Sequence, residues 1–130
     1  MRRHAERFVL LCALLVGAPG AAVAFEGRYL VGDEDYHQFL DVTKTPDGRY
    51  AAKFDVSNQG CEGALEGRGV VAGGVLVIRP VKPYGASDKC VVKLRQSGGS
   101  LTVTEKGCLA WRGVACEFAG EYDSRRTPAK

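Results

Sequence analysis

Cysteine is the residue type of this 130-residue chain with the most evident chemistry. Four cysteines follow residue 60: Cys61, Cys90, Cys108 and Cys116. Thiolates can either bind Zn²⁺ or form disulfides, but these spacings contain no Cys-x-x-Cys pair, the usual way to place two thiolates on one zinc ion. The even number of cysteines therefore favours two disulfides over a tetracysteine metal site.

A second candidate is an acidic segment that contains Asp33-Glu34-Asp35 and His37. Its carboxylates could bind a divalent cation, but the alternating oxygen ligands and final Glu of a calcium loop are missing, which favours a solvated turn. His37 could be a general base, yet nucleophilic catalysis needs a Ser or Cys partner, and no motif around any Ser supplies one. A surface or half-buried strand histidine is favoured instead. We predict no catalytic residue, no metal and no cofactor.

The only Trp of the chain, Trp111, lies beside Arg112 between two of the cysteines. Trp and Arg are enriched among the residues that dominate binding energy, which makes this pair the best candidate for partner binding. The alternative is that Trp111 folds back and plugs the end of the domain. Tyr84, in another loop, is a further candidate contact.

Residues 1–24 have the pattern of a signal peptide. A basic start with Arg2, Arg3 and Arg7 is followed by an apolar run over 8–18 and by Ala22-Val23-Ala24, so we expect cleavage before Phe25. The alternative, a membrane anchor, needs a run of about 20 apolar residues. Cys12 lies inside the run and is not preceded by the small residue expected before a lipidated cysteine. We therefore predict a periplasmic or secreted protein with no stable membrane span after cleavage.

Removing residues 1–24 leaves 106 residues, enough for one domain. Three of the 18 basic and one of the 15 acidic residues leave with that segment, so the net charge falls to about +1. No cluster of Lys and Arg with interleaved aromatics remains, so a nucleic-acid partner is not expected. A core of this size is only marginally stable, which fits the need for disulfides. We expect a monomer, with the domain at 25–122 and a flexible tail at 123–130.

Short alternating runs bounded by Gly, Pro, Asp and Ser predict an all-β domain. The clearest strand buries Tyr50, Ala52, Phe54 and Val56 on one face. Glycines in the fourth strand favour sharp bending or a close approach of another backbone. Eight strands are predicted, at 25–31, 36–44, 49–56, 61–71 and 75–79, on either side of 97–100, and at 115–122.

The first and last strands share one pattern, Phe25-x-Gly27-x-Tyr29 and Phe118-x-Gly120-x-Tyr122. We expect them to lie side by side, with each glycine making room for a neighbouring ring. Their pairing would close a small eight-stranded up-and-down antiparallel barrel, which removes both open edges. Such an interior is filled by side chains or holds one small ligand.

Tight turns join the predicted strands at one end of this barrel, and longer connections join them at the other. All four cysteines fall at the end with the long connections. We predict a local Cys108–Cys116 bridge and, by elimination, a Cys61–Cys90 bridge.

The pattern Gly113-x-x-Cys116-x-Phe118-x-Gly120-x-Tyr122, with Cys108 upstream, resembles small exported bacterial barrel proteins that contain disulfides, most without an assigned activity. Gly27-x-Tyr29 is similar to the Gly-x-Trp/Tyr opening of lipocalin-like and avidin-like barrels. The resemblance implies a calycin-like barrel. The group of lipocalin-like and avidin-like barrels includes envelope-located inhibitors of hydrolases.

We therefore expect an exported, non-enzymatic binding protein, in concrete form an envelope inhibitor that presents 109–115 to a lysozyme or protease. Its partner would be another envelope or extracellular protein. One alternative is a structural or stress-protective envelope protein with no discrete site. The others are a carrier with a small ligand in the barrel and a small hydrolase.

Overall fold

The fold is taken from a computed structural model, which describes residues 25–32, 35–83, 85 and 88–124. Several predictions fall outside the described residues and stay predictions. They concern the signal peptide at 1–24, the acidic residues Asp33 and Glu34, the loop residue Tyr84, and the end of the tail at 125–130.

Eight antiparallel strands form a closed barrel in which each strand pairs with the next and the last pairs with the first. In chain order they are β1 (Gly27–Gly32), β2 (His37–Lys44), β3 (Tyr50–Asn58), β4 (Cys61–Ala72), β5 (Val75–Pro80), β6 (Val91–Ser97), β7 (Ser100–Lys106) and β8 (Gly120–Ser124). Within the described residues the only helical element is a single 3-10 turn, Leu109–Trp111. The predicted all-β, up-and-down barrel with two disulfides is confirmed.

The core follows from the alternation of apolar and polar residues along the strands. In β3 every second residue from Tyr50 to Val56 is buried, while Lys53 and Asp55 between them are exposed. The core includes six buried aromatic side chains, those of Phe25, Tyr29, Tyr50, Phe54, Phe118 and Tyr122. These rings fill much of the interior, one of the two outcomes open to a barrel of eight strands.

The barrel closes with a different register from the one we predicted. β1 and β8 pair through Tyr29 with Ser124 and Leu30 with Asp123. Gly27 therefore does not lie beside Gly120, and the two repeated patterns do not face each other.

Each repeated pattern instead forms the same local corner. The Tyr29 hydroxyl donates to the Phe25 carbonyl at 2.8 Å, and the Tyr122 hydroxyl donates to the Phe118 carbonyl at 2.6 Å. The glycine between each Phe and Tyr has a positive φ, +148° at the first corner and +156° at the second, which side chains other than that of glycine rarely adopt. The pattern thus indicates two corners that deliver the chain into the first and last strands.

The last strand begins at Gly120, five residues later than predicted. The carbonyls just before it, of Glu117 and Ala119, accept hydrogen bonds from the buried side-chain amide of Gln38, at 2.5 and 2.8 Å. Because the Gln38 amide satisfies these carbonyls, the segment is held against β2 without strand pairing. β8 continues to Ser124, so the barrel includes two residues that we assigned to the tail.

The glycines of β4 mark close approaches, as predicted. A Cβ atom added to Gly67 would lie 2.8 Å from the Arg79 carbonyl oxygen of β5, and one added to Gly63 would lie 2.6 Å from Cβ of Arg112. Side chains at these positions would push β5 and the cysteine-rich loop away from β4. Gly63 thus makes room for a residue of the candidate site.

Candidate binding site at the cysteine-rich end

The four cysteines lie at one end of the barrel but pair differently from our prediction. Cys61, at the start of β4, bonds to Cys116, and Cys90, just before β6, bonds to Cys108, just after β7. The predicted Cys108–Cys116 and Cys61–Cys90 bridges are wrong. The hairpin of β6 and β7 places the two ends that carry Cys90 and Cys108 next to each other, whereas β5 lies between β4 and β6.

The loop 109–115 is consequently tied at both ends, to two different parts of the barrel. Cys108, which precedes the loop, is bonded to Cys90 just before β6, and Cys116, which follows the loop, is bonded to Cys61 of β4. The side-chain amide of Asn58 also donates to the Ala115 carbonyl at 2.9 Å. A loop fixed in this way loses little conformational entropy when a partner binds it.

Arg112 holds this loop together from inside. Its guanidinium forms an ion pair with Glu105 of β7, with Nε donating to Oε1 at 2.5 Å, and the two side chains are only 16% and 7% exposed. The guanidinium also donates to the Cys116 carbonyl at 2.8 Å, and the second Glu105 oxygen accepts from the Phe118 backbone N–H at 2.6 Å. Arg112, which we predicted as a contact for a partner, therefore has most of its donors engaged within the protein.

Trp111 is neither a fully exposed contact for a partner nor a fully buried plug, the two alternatives that the sequence left open. It is half-buried and packs against the core, and its indole N–H donates to the Asp88 carboxylate at 3.1 Å. Its remaining surface borders a groove of about 350 Å³ whose other walls include Phe54, Leu65 and Val81. Trp111 is thus both a packing residue and part of a surface that a partner can reach.

The most exposed apolar side chains at this end were not singled out from the sequence. Val114 is 85% exposed, Leu109 is 54% exposed, and Val81 beside the groove is 45% exposed. Two of them, Leu109 and Val114, lie on the loop held by two disulfides. Exposed apolar side chains that cluster mark interaction surfaces. The position of Leu109 and Val114 between Cys108 and Cys116 could have indicated them, but our prediction considered only the Trp and Arg of this loop.

One edge of β4 beside Trp111 lacks a neighbouring strand among the described residues. β5 pairs with β4 only from Gly67 onward, so Cys61–Leu65 has β3 on one side and no strand on the other among the described residues. The 3-10 turn of the loop contacts β4 in this region. The cysteine-rich loop thus occupies the space beside this part of β4, next to the groove that Trp111 borders.

His37 lies in a row of polar side chains that the sequence did not reveal. It is opposite Ser57 of β3, which is itself opposite Glu62 of β4, and all three border a groove that also contacts Trp111. In the described part of the chain no hydrogen bond joins His37 to Ser57. The carboxylate adjoins the serine and not the histidine, whereas a catalytic triad needs the histidine between the two.

Electrostatics at this end affect one further side chain, Tyr36. Burial raises the pKa of its phenol, and the nearby Glu117 carboxylate raises it further.

The described residues contain no group of three or more His, Cys, Asp or Glu side chains arranged to hold a metal ion. Within the same residues, no helix has the length and apolar character to cross a membrane.

Comparisons with protein-family models, with curated proteins and with solved structures found no match. The inference of function therefore depends on the geometry of the barrel and its cysteine-rich end. The two disulfides are compatible with an oxidising compartment outside the cytoplasm.

Proposed function

We propose that this protein is exported to the periplasm or the extracellular space, where it acts as a non-enzymatic binding protein through the loop 109–115. The observation that carries the proposal is the contrast between a fixed loop and its exposed tip. The loop is held by two disulfides and by the buried Arg112–Glu105 pair, yet Leu109 and Val114 project into solvent. Preorganised apolar contacts of this kind bind with little loss of conformational entropy.

The partner that fits this surface best is a protein with a cleft, such as a lysozyme or protease of the same compartment. Val114 is at the exposed tip, and Trp111, three residues earlier in the loop, borders a separate groove. In this proposal the cleft receives Val114 and its rim contacts Trp111. In this proposal Arg112 positions the loop and contacts the partner little.

The alternatives have less support from the described residues. A carrier would have to displace some of the six buried aromatic rings to make room for a ligand. A hydrolase would need His37 to bond its nucleophile, and Ser57 is not bonded to it. A structural protein without a discrete site gives no role to the exposed Leu109 and Val114.

Substitution at the tip tests the proposal. We expect the protein to inhibit a lysozyme or a secreted protease, and Val114→Asp to weaken inhibition by about tenfold or more, since a charge replaces a central apolar contact. Val70→Asp is the matched control, because Val70 is 48% exposed at the opposite end of the barrel. It should inhibit as the parent protein does, and both variants should unfold at the same denaturant concentration as the parent.

Two results would contradict this function. Equal loss of inhibition in both variants would show that the loop is not the contact. Absence of inhibition against a panel of such hydrolases, together with no capture of an envelope protein that depends on Val114, would favour the structural alternative.

A further inference from the structure

The outer surface of the barrel has one strongly basic side. Five cations, spread over four strands, project from it: Arg68, Arg79, Lys93, Arg95 and Lys106. All are exposed, and none forms a hydrogen bond or ion pair through its side chain with the described residues. We call these five residues the basic face.

Strand register brings these residues together. Arg68 is opposite Arg79, and one row further along the sheet Lys93 is opposite Val77. In β7, Lys106 is opposite Val91. Arg68 and Arg79 thus lie on neighbouring strands about 5 Å apart, and Lys106 lies in the same row beyond Val91. Lys93 and Arg95 are two residues apart on β6.

Carboxylates of the described residues lie at the border of this surface: Asp47 lines a groove with Arg68, Glu66 is two residues before Arg68, and Glu121 is opposite Thr102. The outward positions of β5, β6 and β7, and of β4 from Arg68 onward, carry Arg, Lys, Val, Ala, Ser and Thr but no Asp or Glu. Elsewhere on the barrel the charges are paired, Arg28 of β1 with Asp41 at 3.8 Å and Lys53 of β3 with Glu66 at 3.6 Å. Positive charge is therefore concentrated on one side of the barrel, although the whole chain has 18 basic and 15 acidic residues.

Arg68 and Arg79 are like charges directly opposite each other on neighbouring strands. Such a pair destabilises a sheet unless an anion lies between the two side chains. The fold therefore places a local cost at the β4–β5 side of the basic face, and an anionic partner would relieve it.

The hairpin that adjoins this face ends in an apolar tip, the residues 70–75 (Val-Val-Ala-Gly-Gly-Val). Val70 is 48% exposed and Val71 is 42% exposed, and none of the six has a polar side chain. The two other hairpins at this end turn through polar residues, Asp47 in one and Ser97 in the other. A soluble polyanion would use the cations but would have no use for the apolar tip.

We propose that the basic face and the apolar tip together bind the surface of an anionic phospholipid bilayer. The five cations contact the lipid phosphates, and Val70 and Val71 enter the boundary between headgroups and acyl chains. Stable attachment to a membrane generally requires two such signals, one electrostatic and one apolar. The barrel would then lie with its basic side along the bilayer and its tip inserted, with the loop 109–115 at the other end of the barrel.

Vesicle binding tests this inference with the purified protein. We expect co-sedimentation with vesicles that mix phosphatidylglycerol with phosphatidylcholine, and little with phosphatidylcholine alone. Arg79→Glu combined with Lys93→Glu should weaken binding by about tenfold or more. The control, Arg28→Glu combined with Lys44→Glu, makes the same change of charge on β1 and β2, across the barrel from the basic face, and should weaken binding by no more than about twofold.

A second pair of variants separates a bilayer from a soluble polyanion. Val70→Ser combined with Val71→Ser leaves the charge unchanged and should weaken vesicle binding by about fivefold or more. Unchanged binding of this variant, with full competition by soluble polyphosphate, would show that the cations alone form a polyanion site and would overturn the inference. It would also be overturned by equal binding to neutral vesicles, by no binding to anionic vesicles, or by equal losses in the two charge-reversal variants.

Discussion

The side chain that explains most about the cysteine-rich end is Glu105. It accepts from the Arg112 guanidinium with one oxygen and from the Phe118 N–H with the other, and its side chain is only 7% exposed. Its two partners lie on either side of Cys116. One carboxylate thus fixes the second half of the loop and the entry to the last strand together.

Loss of that charge should destabilise the protein strongly. We expect Glu105→Gln to lower the free energy of unfolding by about 3 kcal/mol, because it leaves a largely buried guanidinium without a counter-charge. Glu66→Gln is the control, since the ion pair of Glu66 with Lys53 is exposed on both sides and should contribute about 1 kcal/mol or less. Denaturant unfolding of both variants measures the difference. Equal losses would show that the Arg112 charge is not effectively buried.

Buried tyrosines predict a loss of stability at high pH. Burial raises the pKa of Tyr29 and of Tyr122 above the ordinary value of 10.0. As pH rises past this value, the unfolded chain releases these protons while the folded barrel retains them. Stability is therefore present in full below about pH 10 and falls as pH rises above it.

Denaturant midpoints measured on both sides of about pH 10 test this expectation. Tyr122→Phe should be less stable at neutral pH, because it lacks the hydrogen bond to the Phe118 carbonyl, but its stability should fall less steeply with pH. A variant that falls as steeply as the parent protein would assign the alkaline loss to other groups.

At the scale of elements, the two Phe-x-Gly-x-Tyr corners differ in how tightly their glycines are enclosed. A Cβ atom on Gly120 would lie 2.8 Å from the side-chain oxygen of Gln38, which is held in place by two carbonyls. On Gly27 its nearest neighbours would be atoms of the Tyr29 side chain, at 3.5 Å. Gly120 therefore combines a strained φ with a close contact, whereas Gly27 has the strained φ alone.

Alanine substitution should rank the glycines in this order. We expect Gly120→Ala to cost about 3 kcal/mol and Gly27→Ala about 1–2 kcal/mol of unfolding free energy. Gly99→Ala is the control, because nothing lies within 4 Å of its added Cβ and its φ is not positive. It should leave stability unchanged or raise it by up to about 1 kcal/mol. The ranking fails if Gly27→Ala costs more than Gly120→Ala.

Strand alternation was enough to predict the number of strands and their approximate positions. The closed barrel was predicted from the repeated Phe-x-Gly-x-Tyr pattern, although that pattern marks two corners and not a direct contact between them. Alternation was not enough to predict register where no tight turn fixes it, which is why the contact between β1 and β8 differs from our expectation. For the disulfides the information was present. The turn at 97–100 sets the register of the β6–β7 hairpin, and that register places Cys90 beside Cys108. The short spacing of Cys108 and Cys116 outweighed it in our prediction.

The candidate site was less predictable than the fold. Trp111 and Arg112 were correctly placed in the loop, but the sequence does not show that Arg112 reaches back to Glu105, because the loop between them has no periodic pattern. Similarly, the basic face is invisible in a linear reading. Its five cations are spread over 39 residues, and only strand register brings them together.

At the scale of the whole molecule, the two disulfides should contribute unequally. Cys90–Cys108 closes a loop with a sequence separation of 18 residues, and Cys61–Cys116 closes one of 55. The constraint on the unfolded chain grows with loop length, so removing them should cost about 3 and about 4 kcal/mol, respectively.

Paired Cys→Ser variants and denaturant unfolding measure both values. The Cys61→Ser/Cys116→Ser variant should be the less stable and should also lose any inhibition that depends on Val114, since the loop is then held at one end only. Peptide mapping without reduction should join 61 to 116 and 90 to 108. A fragment that joins 108 to 116 would contradict the pairing described above.

The way the two disulfides flank the loop 109–115 has a consequence for the fate of the chain under attack by proteases. A single cut anywhere between Leu109 and Ala115 separates the backbone into two pieces, but the smaller piece remains bonded through Cys116 to Cys61. It also keeps β8 inserted between β7 and β1. The nicked protein is therefore one covalent molecule with two new chain ends at its exposed tip, and the smaller piece is released only after reduction.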